Sequence, residues 1–189
     1  MKTALTLLAV GTLFVSPSLS ALQSGGAGGE STNPSIRAGI PESDSELTPD
    51  VQKFVARGDL LRSQLRFMDA AIEYRHAADV ARREGHLASG TTWMLANAYF
   101  NAGNLVAAAT ALDQLATEAS RVGDLAVEAL AVFNSAWLNG KAGRKTETAA
   151  RVARLETLLR SRYMPVAIRD HLSSWLKTSK ELAAAAEAS

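Results

Sequence analysis

From Thr48 onward, apolar residues recur three and four positions apart, and short glycine-containing turns interrupt the pattern. The stretch from Trp93 to Asp124 shows it most clearly. Trp93, Ala96, Tyr99 and Phe100 fall on one face at 3.6 residues per turn, which predicts a helix. Gly103 stops that helix, because glycine tolerates the left-handed conformation of a helix end. Leu105, Ala108, Ala109, Leu112, Leu115, Ala116 and Ala119 then form a second stripe, closed by Gly123. The pattern reads as two antiparallel helices joined at Ala102, Gly103 and Asn104. The alanines allow close helix approach, and apolar faces this broad need stacked neighbours to cover them.

The same reading extends over the rest of the chain. Thr48, Pro49 and Asp50 combine a cap, a proline at the first helical position and an acid in the first turn. Helices are predicted at 49–64, 67–84, 88–102, 105–121, 124–140 and 144–161. A seventh starts at Pro165 and carries Ile168, Leu172, Trp175 and Leu176 on its apolar stripe. His171, Ser173, Ser174, Lys177 and Lys180 lie opposite, as suits a helix that closes an array with a polar outer face.

Internal similarity ties these helices together. Arg83 to Ala88 and Arg121 to Ala126 agree at arginine, glycine, leucine and alanine, 38 residues apart, and Gly103 and Gly143 lie 40 apart. Phe54, Gly58, Leu61, Phe67, Ala70, Tyr74 and Ala77 form one frame of large and small residues. Leu95, Ala96, Tyr99, Gly103, Leu105, Ala108 and Leu112 form a second. Ser135, Ala136, Gly143, Val152 and Leu155 hold a weaker third, with Lys145 and Thr148 out of type. Over residues 50–160 the frame resembles the tetratricopeptide repeat (TPR) family in a longer-period form. The resemblance implies an all-α fold, a TPR-like α-solenoid of about three helix-turn-helix repeats plus a C-terminal capping helix, occupying residues 48–186.

Residues 1–20 combine Lys2, an apolar run from Ala4 to Val15, and small residues at Ser18 and Ser20. That pattern predicts a signal peptide cleaved after Ser20, since about 20 apolar residues are needed to span a bilayer. Residues 21–47 hold four glycines between 25 and 29, two prolines, and Glu30, Glu42, Asp44 and Glu46 against a lone Arg37. They read as a disordered acidic linker that could also fold back on the basic helical part. The chain has no cysteine, so disulfides, thiolate metal sites and a lipidated cysteine are excluded. Loss of Lys2 leaves 19 basic residues against 19 acidic ones, without a global bias toward nucleic acid. The expected product is periplasmic or extracellular, not a lipoprotein, with no stable membrane insertion after cleavage.

Little in the chain points to chemistry. His76, His86 and His171 share no face with a second ligand at metal-binding spacing. Ser174 and Lys177 match a bare S-x-x-K, but Lys177-Thr178-Ser179 is not K-T-G and no S-D-N occurs. We therefore expect no enzyme activity, no cofactor and no metal.

Binding is the expected role. In TPR-like proteins the first helix of each repeat lines a concave groove that holds extended peptides. Carried over by register, the resemblance implies Asp59 and Arg62 in the first repeat, Trp93, Asn97, Phe100 and Asn101 in the second, and Phe133, Trp137 and Lys141 in the third. The four aromatics could instead pack between repeats. Val55, Asp59, Phe133 and Trp137 stand where the family's carboxylate clamp would need cations and amides, so an aromatic groove is expected in place of a cationic one. The crowd of Lys141, Arg144, Lys145, Arg151, Arg154, Arg160 and Arg162 is a rival, anion-facing surface, although Glu147 to Arg151 and Glu156 to Arg160 have the spacing of helix-stabilising pairs. The expectation is an exported protein-protein or peptide-binding scaffold with a protein or peptide partner. The alternatives are an accessory subunit of a cell-envelope enzyme and a self-assembling scaffold, that is, a homo-oligomer.

Overall fold

The computed structural model describes residues 48–187, with side chains through Lys177; the expected signal peptide and acidic linker lie outside the described residues. The described residues are all-helical, with no strand among them. The helices are α1 (Pro49–Ser63), α2 (Phe67–Arg83), α3 (Ser89–Asn101), α4 (Leu105–Val122), α5 (Leu125–Lys141), α6 (Lys145–Leu159) and α7 (Val166–Glu187). Their observed ends lie within two residues of the expected ones, because caps and turns are local signals. Thr48, Asn104 and Asp124 each accept a backbone N–H of the first helical turn through the side chain.

The turns repeat the same geometry. Arg66, Asn104 and Arg144 each donate a backbone N–H to the carbonyl five residues back, on Leu61, Tyr99 and Asn139, all at 2.9 Å. This is the Schellman bond, and it requires a left-handed residue in the turn. Gly103 and Gly143 supply it with φ near 76° and 74°. In the first turn the same place is taken by Leu65, at φ 60°, which no expectation from the sequence included. Residues 65, 103 and 143 thus set a structural register of 38 and then 40 residues, matching the spacing of the sequence repeats.

Each helix packs on the next one along the chain. Ala70, Ala71 and Tyr74 of α2 share a core with Leu95, Ala96 and Tyr99 of α3 and with Ala108 and Leu112 of α4. Gly58 is part of this fit: a Cβ there would sit 2.6 Å from Cε1 of Tyr74. The Tyr74 hydroxyl donates to Asp59 at 2.7 Å. Burial raises the pKa of this phenol, and the neighbouring Asp59 carboxylate raises it further.

Contacts also skip a helix. Arg82 of α2 pairs with Glu118 of α4 at 2.8 Å, and Arg151 of α6 pairs with Asp113 of α4. On α7, Ile168, Leu172 and Leu176 are buried in a core with Leu115, Val132 and Leu155, while His171, Ser173, Ser174 and Lys177 are exposed.

Candidate functional site

The C-terminal turns of α3 and α5 bring together most of the residues expected in a groove. Helical spacing places Asn97 and Asn101 one turn apart on α3, and Trp137 and Lys141 one turn apart on α5. The Phe100 and Trp137 rings meet between the two helices, with centroids 5.7 Å apart and planes tilted by 41°. The Lys141 ammonium sits 4.6 Å from the Trp137 ring centroid, within cation–π range. The result is a continuous strip of two aromatic faces and one cation, with Lys141 exposed and both rings half-buried.

An amide pair flanks the strip. Asn101 donates its Nδ2 to both the backbone carbonyl and the Oδ1 of Asn97, at 2.9 and 2.8 Å. A side-chain amide so held can present donor and acceptor in a fixed orientation to an extended backbone. On α1, Arg62 is exposed and pairs with Asp59 at 3.2 Å, and Asp59 also receives the Tyr74 hydroxyl. Arg62 is therefore positioned by a carboxylate that is itself anchored to α2.

Two expected groove residues are placed differently. Phe133 is only 4% exposed, and its ring packs edge-on against Trp175 of α7 at 4.5 Å. Its assignment to the groove is corrected: α7 lies over α5 and takes up this ring as core. Trp93, one register step earlier, is half-buried and touches two core clusters at once, so it joins them. Val55 is buried as well, so of the matched positions of α1, α3 and α5, 55 and 133 are closed and 93 is partly so. The open strip is confined to their last turns.

Sequence reasoning missed a polar network between α4, α5 and α6. Ser135 donates its hydroxyl to Asp113 at 2.6 Å, and Arg151 Nε donates to Asp113 and Ser135 at 2.8 and 2.9 Å. Asn139 donates to Ser135, Arg144 donates to Asn139 at 3.1 Å, and Arg144 also pairs with Glu147. Glu147 therefore pairs with Arg144, not with the Arg151 suggested by helical spacing. Arg151 turns away because Asp113 offers two oxygens on the neighbouring helix. Asp113 raises the pKa of the guanidinium, while the Glu147 backbone N–H at the start of α6 and Arg144 hold the Glu147 carboxyl below its usual range. No sequence signal marked it, since the 38 residues from Asp113 to Arg151 fall two short of the 40-residue step from Gly103 to Gly143.

These pairings dissolve much of the expected basic surface. Arg144, Arg151 and Arg154 are held by Glu147, Asp113 and the buried Glu128, and Arg160 lies 3.9 Å from Glu156. Among the described residues no cluster of histidines and acids is placed to hold a metal ion, and no helix is long and apolar enough to cross a membrane. His76 packs edge-on against Phe54. Compared with family models, curated proteins and solved structures, the chain gives no match.

Proposed function

We propose that the chain is an exported, non-enzymatic scaffold that captures an extended peptide segment of a protein partner across the last turns of α1, α3 and α5. In this reading the helices form a TPR-like solenoid of three pairs, α1–α2, α3–α4 and α5–α6, closed by α7. The recurrent Schellman turns and the ion pairs between alternate helices support that arrangement. The observation that carries the function is the strip of Phe100, Trp137 and Lys141 beside the Asn97–Asn101 amide pair. Aromatic faces anchor apolar side chains, and a fixed amide bonds to peptide backbone.

A random peptide library panned against the purified protein tests this, with isothermal titration calorimetry reporting the affinity of the selected peptides. Trp137→Ala should weaken them about 30-fold, as for a central aromatic anchor worth about 2 kcal/mol. Asn97→Ala should weaken them less. Peptides that bind both variants as tightly as the unaltered protein would sink the groove reading.

A further inference from the structure

The turn between α1 and α2 carries a leucine that the fold does not use. Every other left-handed residue among the described ones is glycine, at 85, 103, 123 and 143, whereas this turn has Leu65 at φ 60°. The side chain is strained there, and at 73% exposure no packing within the chain offsets the strain. A strained residue without internal packing points to a contact outside the chain. Three more large apolar side chains stand exposed beside it: Leu60 in the last turn of α1 (60%), and Met68 and Ile72, one turn apart on α2 (49% and 50%). The register set by residues 65, 103 and 143 aligns Ile72 with Thr110 and Ala150, which are exposed too, so this solvent position is large and apolar only in α2. It aligns Leu60 with Ala98 and Leu138, which are buried. The other exposed large hydrophobics are scattered. Val106 and Val122 lie at opposite ends of α4, about 24 Å apart at 1.5 Å per residue, and Tyr163 and Val166 lie around the start of α7.

We infer that a second copy of this chain covers the patch, in a two-fold contact that sets the Leu65 side chains of the two copies side by side. The charge pattern selects this occupant. Between Gln64 and Ile72 the only charged residues are Arg66 and Asp69, and they pair at 2.7 Å, so the patch is neutral. A two-fold contact sets a patch against itself, which a neutral patch accepts without repulsion, and a neutral patch offers no excess cation to anionic lipid. One turn beyond it at either end, Arg57 and Arg75 lie 5.9 and 5.7 Å from the ring centroids of Phe54 and Tyr99. Arg62 lies about 200° around α1 from Leu60 at 3.6 residues per turn, so the contact does not claim it. Four such side chains make a patch of about 300–600 Å², below the roughly 800 Å² that each side of a standard interface buries. The dimer is therefore weak, with a dissociation constant in the micromolar range.

Sedimentation equilibrium of the full chain tests this. It should show a monomer–dimer equilibrium that Leu65→Asp and Ile72→Asp each weaken at least about tenfold. Val106→Asp, at a comparably exposed valine of α4, should leave it unchanged. Leu65→Gly should weaken the dimer about tenfold while the denaturation midpoint of the dilute protein stays the same or rises, which separates a lost contact from a lost fold. Because the chain has no cysteine, Leu65→Cys introduces its one thiol. Under mild oxidation that variant should form a disulfide-linked dimer at least about tenfold faster than Val106→Cys. A monomer at every concentration up to about 1 mM would overturn the inference, as would equal oxidation rates. Polymers that lengthen with concentration would overturn the two-fold contact. A monomer that floats with phosphatidylcholine vesicles, and loses them on Ile72→Asp, would overturn the second copy in favour of a lipid surface.

Discussion

The first helical pair and the two that follow share one pattern and one turn geometry, yet they differ wherever the preceding pair matters. Position 60 in α1 holds an exposed leucine, while positions 98 and 138 in α3 and α5 are buried. Position 65 holds a left-handed leucine, whereas 103 and 143 hold glycine. Position 58 is a glycine pressed against Tyr74, and its counterparts are Ala96 and Ala136. A residue's role in this helical chain is therefore set by which helices pack against it as much as by its place in its own helix.

Substitutions at matched positions break the comparison open, and the largest effect belongs to the leucines. Leu138→Ala should cost about 2–5 kcal/mol, the range for emptying a buried leucine site, whereas Leu60→Ala should stay within about 0.5 kcal/mol. Urea unfolding of the two variants checks this, and similar midpoints would mean that the two faces are not different in burial.

Gly58→Ala comes next. The added methyl would meet the buried Tyr74 ring 2.6 Å away, so the ring or α1 must shift. Overpacking of this kind costs about 1–3 kcal/mol, which a thermal melt resolves. Coupling Gly58→Ala to Tyr74→Phe should not relieve the loss, since the contact is with ring carbons.

The smallest effect concerns the odd turn. A left-handed conformation costs a side-chain-bearing residue about 1 kcal/mol, and Leu65 is 73% exposed, so it has little packing to lose. Leu65→Gly should stabilise the fold by up to about 1 kcal/mol, and Gly103→Leu should destabilise it by about as much. Denaturation midpoints that fail to move in opposite directions would show that the two turns are not equivalent.

Where the candidate strip lies was partly readable beforehand. Asn97, Phe100, Asn101, Trp137 and Lys141 come together because residues one turn apart share a face on α3 and on α5, and the Phe100 and Trp137 rings meet between those faces. Phe133 could not be assigned in that way. Its helical face is the same as that of Trp137, and only the docking of α7 buries it against Trp175. The Asp113–Ser135–Arg151 network escaped for a related reason, since an aspartate on a helix surface looks solvated until the neighbouring helix offers it an arginine.

By itself, the amino-acid sequence determined the helices, their ends and their order, because caps, left-handed turn residues and 3.6-residue periodicity are local interactions encoded within a few positions. Tertiary structure alone decided which aromatics stay accessible, which arginines are neutralised, and which face of α1 is left exposed among the described residues. Those outcomes depend on what packs against a residue from 22 to 42 positions away, and an apolar or charged side chain carries no mark of that partner until the helices meet.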